Sequence, residues 1–149
     1  MLPAAPASGR LPGIVILQGS TSNMRREYQF YADHFARAGL AVVTFDKRGT
    51  GESSGNYAAA TYDDLAADAA AAVQNLRRQP EIDSARVGVW GLSQGAFIAP
   101  LVARRVASIA FIVAVRHRAS RSARARRIRT VCGWWRKGFR RRMPDRRRA

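Results

Sequence analysis

Val87-Gly88-Val89-Trp90-Gly91-Leu92-Ser93-Gln94-Gly95-Ala96 is the stretch whose reading decides the fold. Its first four residues are an apolar, β-branched run of the kind that makes a strand buried on both faces. Gly91 to Gly95 then fits G-x-S-x-G, and an apolar-periodic segment from Gln94 to about Arg105 predicts a helix, with Pro100 a local conflict expected to bend it. Strand, sharp turn and helix in that order would lift a serine hydroxyl to the top of a sheet. Neighbouring residues press close around such a turn, so small residues are needed two before and two after the serine, where Gly91 and Gly95 stand. The following helix directs its first N–H groups at the site, which makes the main-chain N–H of Gln94 a candidate oxyanion donor. Any glycine-rich strand-to-helix turn produces the same letters by chance, so the context carries the weight.

Outward from the turn, the chain alternates strands with helices. Gly13 to Gln18 is a continuous apolar run bounded by Pro12 and Gly19, and Ala41 to Phe45 is a second, leading into the loop Asp46-Lys47-Arg48-Gly49-Thr50-Gly51-Glu52-Ser53. Between them Tyr28, Tyr31, Ala32 and Phe35 share one face of a helix that stops near Gly39. Thr61, with Asp64 three residues on, predicts a helix start, and Leu65, Ala69, Ala72, Val73 and Leu76 its buried stripe. Pro80 and Asp83 mark the turn after it, and Ile109 to Val115 is a fourth apolar strand. Four strands separated by three helices predict an α/β fold: a parallel sheet with helices on both faces, its chemistry gathered at the carboxyl ends of the strands.

Three stretches in order resemble the α/β-hydrolase family, more narrowly its serine-peptidase (serine aminopeptidase-like) and esterase-type members: Leu17-Gln18-Gly19-Ser20, Phe45 to Ser53, and Val89 to Ala96. The resemblance covers residues 10–115 and implies a serine-dependent hydrolase of esters or amides acting on a small-molecule ester or peptide. It implies Ser93 as nucleophile on an elbow formed with Gly91 and Gly95, and the N–H groups of Gln94 and Ser20 as the oxyanion hole. Gln18 stands where the family has histidine, which a main-chain donor tolerates. Asp46 to Ser53 resembles the family's D-x-R-G-x-G-x-S segment and is read as structural, with Gly49 and Gly51 giving turn geometry and Asp46 paired with Arg48.

In this family the acid and the histidine follow the serine, the histidine near the end of the sheet. The chain's histidines are His34, on the first helix and read as solvated or packing, and His117, two residues past the fourth strand. Asp145 is the one acid after Ser93. The family's first two strands would also precede Gly13. The expectation is thus a truncated hydrolase fold, the central piece of a sheet in the order second, first, third, fourth, with both edges bare and little or no turnover.

The formal charge of +16 is not spread over this body: residues 1–115 carry 11 Lys and Arg against 9 Asp and Glu, residues 116–149 carry 15 against 1. The chain divides into a flexible start (1–9), the partial hydrolase domain (10–115) and an irregular basic tail (116–149). Three readings of the tail stand open: an arm binding nucleic acid or anionic membrane, with Trp134, Trp135 and Phe139 interleaved among arginines; a solvated, disordered terminus; or translation out of frame past Val115. The arm reading makes the chain a non-catalytic polyanion-binding protein. Cys132, the single cysteine, cannot form an internal disulfide. No apolar run approaches the roughly 20 residues of a membrane span, no cofactor or metal cluster is expected, and the start shows no signal-peptide pattern, which suggests the cytoplasm.

Overall fold

The computed structural model describes residues 1–2, 9–21 and 23–116. Strand β1 (Leu11–Leu17) lies inside a four-stranded sheet with β2 (Ala41–Val43) on one side and β3 (Ile82–Leu92) on the other, and β4 (Ile112–Val115) completes the order β2-β1-β3-β4. All three pairings are parallel. This is the expected fold class and strand order. The alternation of β1 shows why its apolar run is unbroken: Ile14 and Ile16 enter the core on one face, Val15 and Leu17 the core on the other.

The two faces are covered differently. Helix α1 (Gln29–Arg37), entered through a 3-10 turn at Arg25–Tyr28, packs Tyr28, Ala32 and Ala36 against Ile14, Ile16, Val42 and Trp90. The rings of Tyr31 and Phe35 stand 4.7 and 5.9 Å from that of Trp90. The opposite face takes α2 (Tyr62–Arg77) and α3 (Gln94–Arg105), which join Val15, Leu17, Val87 and Val89 in the larger core. Helix α2 starts where the sequence places it: the Thr61 hydroxyl accepts from the N–H of Asp64 at 3.1 Å, and the Asp64 carboxylate accepts from the N–H of Thr61 at 2.9 Å. Its buried stripe gains Ala66 and Ala70, while Ala72 is only half-buried. Helix α3 runs on through Pro100.

Several boundaries move. Strand β2 ends at Val43 and β4 begins at Ile112. Strand β3 begins at Ile82, five residues before the predicted start, because Ile82 pairs with Leu11 and is fully buried. Between the pairs Leu11–Ile82 and Gly13–Val87 the register shifts. The Asp83 carboxylate there accepts from the Ala85 N–H and from Arg86, so it braces a bulge instead of closing a turn. The β2 edge is also not bare: the Met1 ammonium donates to the Val42 carbonyl, and the Val42 N–H to the Met1 carbonyl, both at 2.9 Å.

Candidate functional site

At the carboxyl end of β3 the chain reverses at Ser93, whose φ of 52° and ψ of −107° lie where a residue with a side chain is strained. The turn is tight on every side. A Cβ on Gly91 would run into the Gly95 carbonyl, and one on Gly95 into the Leu17 carbonyl at the end of β1. Both glycines are therefore required by the close approach of backbone to backbone, as the motif predicted. The Ser93 N–H donates to the carbonyl of Val115 at 2.8 Å, which ties the elbow to the last residue of β4. Gln94 is the first residue of α3, whose opening N–H groups have no partner within the helix.

The loop after β1 lies against this elbow: a Cβ on Gly19 would stand 3.7 Å from the Ser93 Cβ. Tyrosine hydroxyls hold the amides on either side of Ser20. The Gly19 N–H donates to Tyr28 Oη at 2.7 Å, and the Thr21 N–H to Tyr57 Oη at 3.1 Å. Among the described residues the Ser20 N–H has no hydrogen-bond partner, and Ser20 is exposed. The structure thus brings Ser93, Gln94, Gly91, Gly95 and Ser20 into one place. Gln18, just before this loop, is buried; its Nε2 donates to the Phe45 carbonyl and its Oε1 has no partner among the described residues.

Lys47 was not singled out in the sequence, where flanking Asp46 and Arg48 make it look like one member of a solvated charge run. It is 4% exposed, with its ammonium donating to the carbonyls of Gly19 and Thr21 (3.1 Å to the latter) and to Gln94 Oε1 at 2.7 Å. The Tyr57 hydroxyl donates to the same Gln94 oxygen at 3.2 Å, and the ammonium sits 4.5 Å from the centre of the Tyr57 ring. Burial pushes the Lys47 ammonium below its usual range. Nothing in the sequence marks this role, since Lys47 stands past the end of β2 in a polar loop between Asp46 and Arg48.

The expected Asp46–Arg48 pair is not formed. The Asp46 carboxylate accepts from the N–H of Arg25 at 2.7 Å and of Glu52 at 3.2 Å, with the Arg25 guanidinium 3.5 Å away. The Arg25 N–H, helped by that of Glu52 and by the charges of Arg25 and Arg26, holds this carboxyl below its usual range despite the opposing effect of burial. Arg48 instead forms a two-pronged pair with Asp68 of α2, at 2.8 and 2.7 Å. Residues two apart in this turn leave on different sides, one toward main-chain amides and one toward a helix. Gly49 and Gly51, at φ of 72° and 54°, supply the turn geometry. Asp46 is thus structural.

His34 is exposed on α1. His117 and Asp145, like most of residues 116–149, lie outside the described residues. No helix among the described residues is long and apolar enough to cross a membrane.

A family model described as serine aminopeptidase, S33 (Hydrolase_4) matches residues 12–146, a span that also takes in most of the basic segment. An uncharacterized 31.7 kDa protein from the traX-finO intergenic region of Escherichia coli is 37% identical over 65 residues, 44% of this chain and 23% of that protein. Esterase FrsA of Photobacterium profundum is 33% identical over 92 residues, 61% of this chain and 21% of the esterase. The crystal structure of a hypothetical protein from Pseudomonas aeruginosa superposes with a TM-score of 0.67 at 29% identity, covering 74% of this chain and 35% of that one. The aligned part is less than a quarter of the length of either curated relative.

Proposed function

Because the chain belongs to the serine aminopeptidase S33 family of α/β-hydrolases, we infer that Ser93 is the nucleophile of an acyl-transfer site acting on an ester or amide. The observation that carries this is the strained elbow: a serine held at positive φ between two glycines that admit no Cβ, at the start of a helix. Ser93 Oγ would attack the substrate carbonyl carbon. The carbonyl oxygen, as it becomes anionic, would be received by the N–H groups of Gln94 and Ser20.

A serine hydroxyl at its ordinary pKa is a weak nucleophile and needs a base. Among the described residues the single histidine is His34, exposed on α1, and the buried carboxylate Asp46 is engaged by main-chain amides. The chain by itself is therefore proposed to turn over little or nothing. Incubated with p-nitrophenyl esters, it should show hydrolysis near the buffer rate, with any slow acylation found on Ser93 by peptide mapping. Robust hydrolysis lost in Ser93→Ala would overturn the low turnover and keep the nucleophile. Acylation elsewhere with Ser93 untouched would overturn the nucleophile.

The charge of residues 116–149 favours a second reading, nonspecific binding of polyanions by that segment. DNA affinity of the full chain should then fall steeply with salt and vanish when 116–149 are deleted. A salt-insensitive affinity would exclude it.

A further inference from the structure

A lysine ammonium buried with only neutral acceptors is costly, since nothing of opposite charge touches it. Lys47 is such a group: its three acceptors are two main-chain carbonyls and an amide oxygen. The charged and titratable groups around it are few. Tyr57 comes from the loop before α2, and Asp68 of α2 lines the same small cavity, but Asp68 is already paired with Arg48.

What the ammonium binds gives it a use. The carbonyl of Gly19 and the N–H of Ser20 belong to one peptide unit, and with no cis peptide among the described residues the two point in opposite directions. Fixing the carbonyl on Lys47 fixes the plane and turns the Ser20 N–H to the far side. A positive charge on the carbonyl oxygen also draws electrons through the amide and makes its N–H a stronger donor. The same ammonium holds the side chain of Gln94, whose own N–H opens α3. Building on the reading of Ser93 as nucleophile, we propose that Lys47 is a positioning residue that couples the two oxyanion donors, orienting and polarising the Ser20 N–H through the Gly19 carbonyl and anchoring Gln94 beside it.

The test uses the full chain and phenylboronic acid, which needs no leaving group. Ser93 Oγ gives a lone pair to the trigonal boron, the hydroxyl proton passes to the buffer, and the tetrahedral adduct resembles the acyl-transfer intermediate. Boron NMR should show the tetrahedral signal with wild-type protein and none with Ser93→Ala. Lys47→Met should weaken the adduct about tenfold, short of the 10²–10³ expected for losing a donor outright. In the wild type the Ser20 amide resonance should move as Lys47 loses its proton at alkaline pH. That step should persist in Tyr57→Phe and be absent in Lys47→Met, which separates it from titration of Tyr57.

Wild-type affinity in Lys47→Met, with Ser93→Ala still inactive toward boron, would overturn the role of Lys47 and leave the nucleophile standing. No adduct with wild-type protein, together with no slow acylation of Ser93 by p-nitrophenyl esters, would overturn the nucleophile. A Ser20 amide that ignores the alkaline titration would overturn the role of Lys47 without any variant having to fold.

Discussion

Strands β1 and β4 are close to interchangeable as sequence, Gly13-Ile14-Val15-Ile16-Leu17 against Ile112-Val113-Ala114-Val115, yet they live in different surroundings. In β1, residues Ile14 to Leu17 are all at most 2% exposed. In β4 two valines, Val113 and Val115, are 42% and 37% exposed. Position in the sheet makes the difference. Strand β1 is flanked by β2 and β3 and roofed by helices on both faces, whereas among the described residues β4 pairs with β3 alone. Hydropathy says that a segment prefers burial; the neighbours decide whether it gets it.

The sharpest way to break this contrast is to place a charge in each strand. Val15→Asp puts an unpaired carboxylate between sheet and helices at a cost of about 4 kcal/mol or more, out of a total stability of roughly 5–15. Val113→Asp should change stability by no more than about 0.5 kcal/mol. Urea unfolding curves measure both, and equal losses would mean that β4 is as enclosed as β1. Truncation is gentler: Ile14→Ala should cost about 2–5 kcal/mol by the same measurement, and Val115→Ala less than about 1, since its carbonyl still receives Ser93.

Of the helices roofing β1, α2 carries a side-chain cap and α3 none. Thr61→Ala should lower stability by about 1 kcal/mol, seen as a fall in the midpoint of thermal unfolding. The smallest effect lies in the loop after β2, where the Asp46 carboxylate is held ionised below its usual range. Its contribution is present above the unfolded carboxyl value, about 3.9, and is lost as pH falls through the lower folded value. Wild-type protein and Asp46→Asn should therefore differ most near neutrality and converge in acid, when stability is followed against pH.

What could be read beforehand follows the same division. The elbow was legible because its requirements are local: Gly91, Ser93 and Gly95 are fixed by a turn that has no room for a Cβ. The order of elements and the capping of α2 at Thr61 were legible for a similar reason, periodicity and a short-range hydrogen bond. Long-range partners were not. Asp46 found the amide of Arg25, 21 residues before it, and that of Glu52, and Arg48 found Asp68 on a helix, although nearest-neighbour reasoning paired them with each other. Lys47 hid most completely, because its acceptors at 19, 21 and 94 meet only when the β1 loop, the loop after β2 and the elbow are stacked at one end of the sheet.

The bond from the Ser93 N–H to the Val115 carbonyl sets an order of events on a growing chain. The elbow residues leave the ribosome more than twenty residues ahead of their acceptor, so until β4 has emerged and paired with β3 the strained serine lacks its main-chain restraint. The elbow is therefore restrained only once β4 is in place, by a strand that adds little to the hydrophobic core.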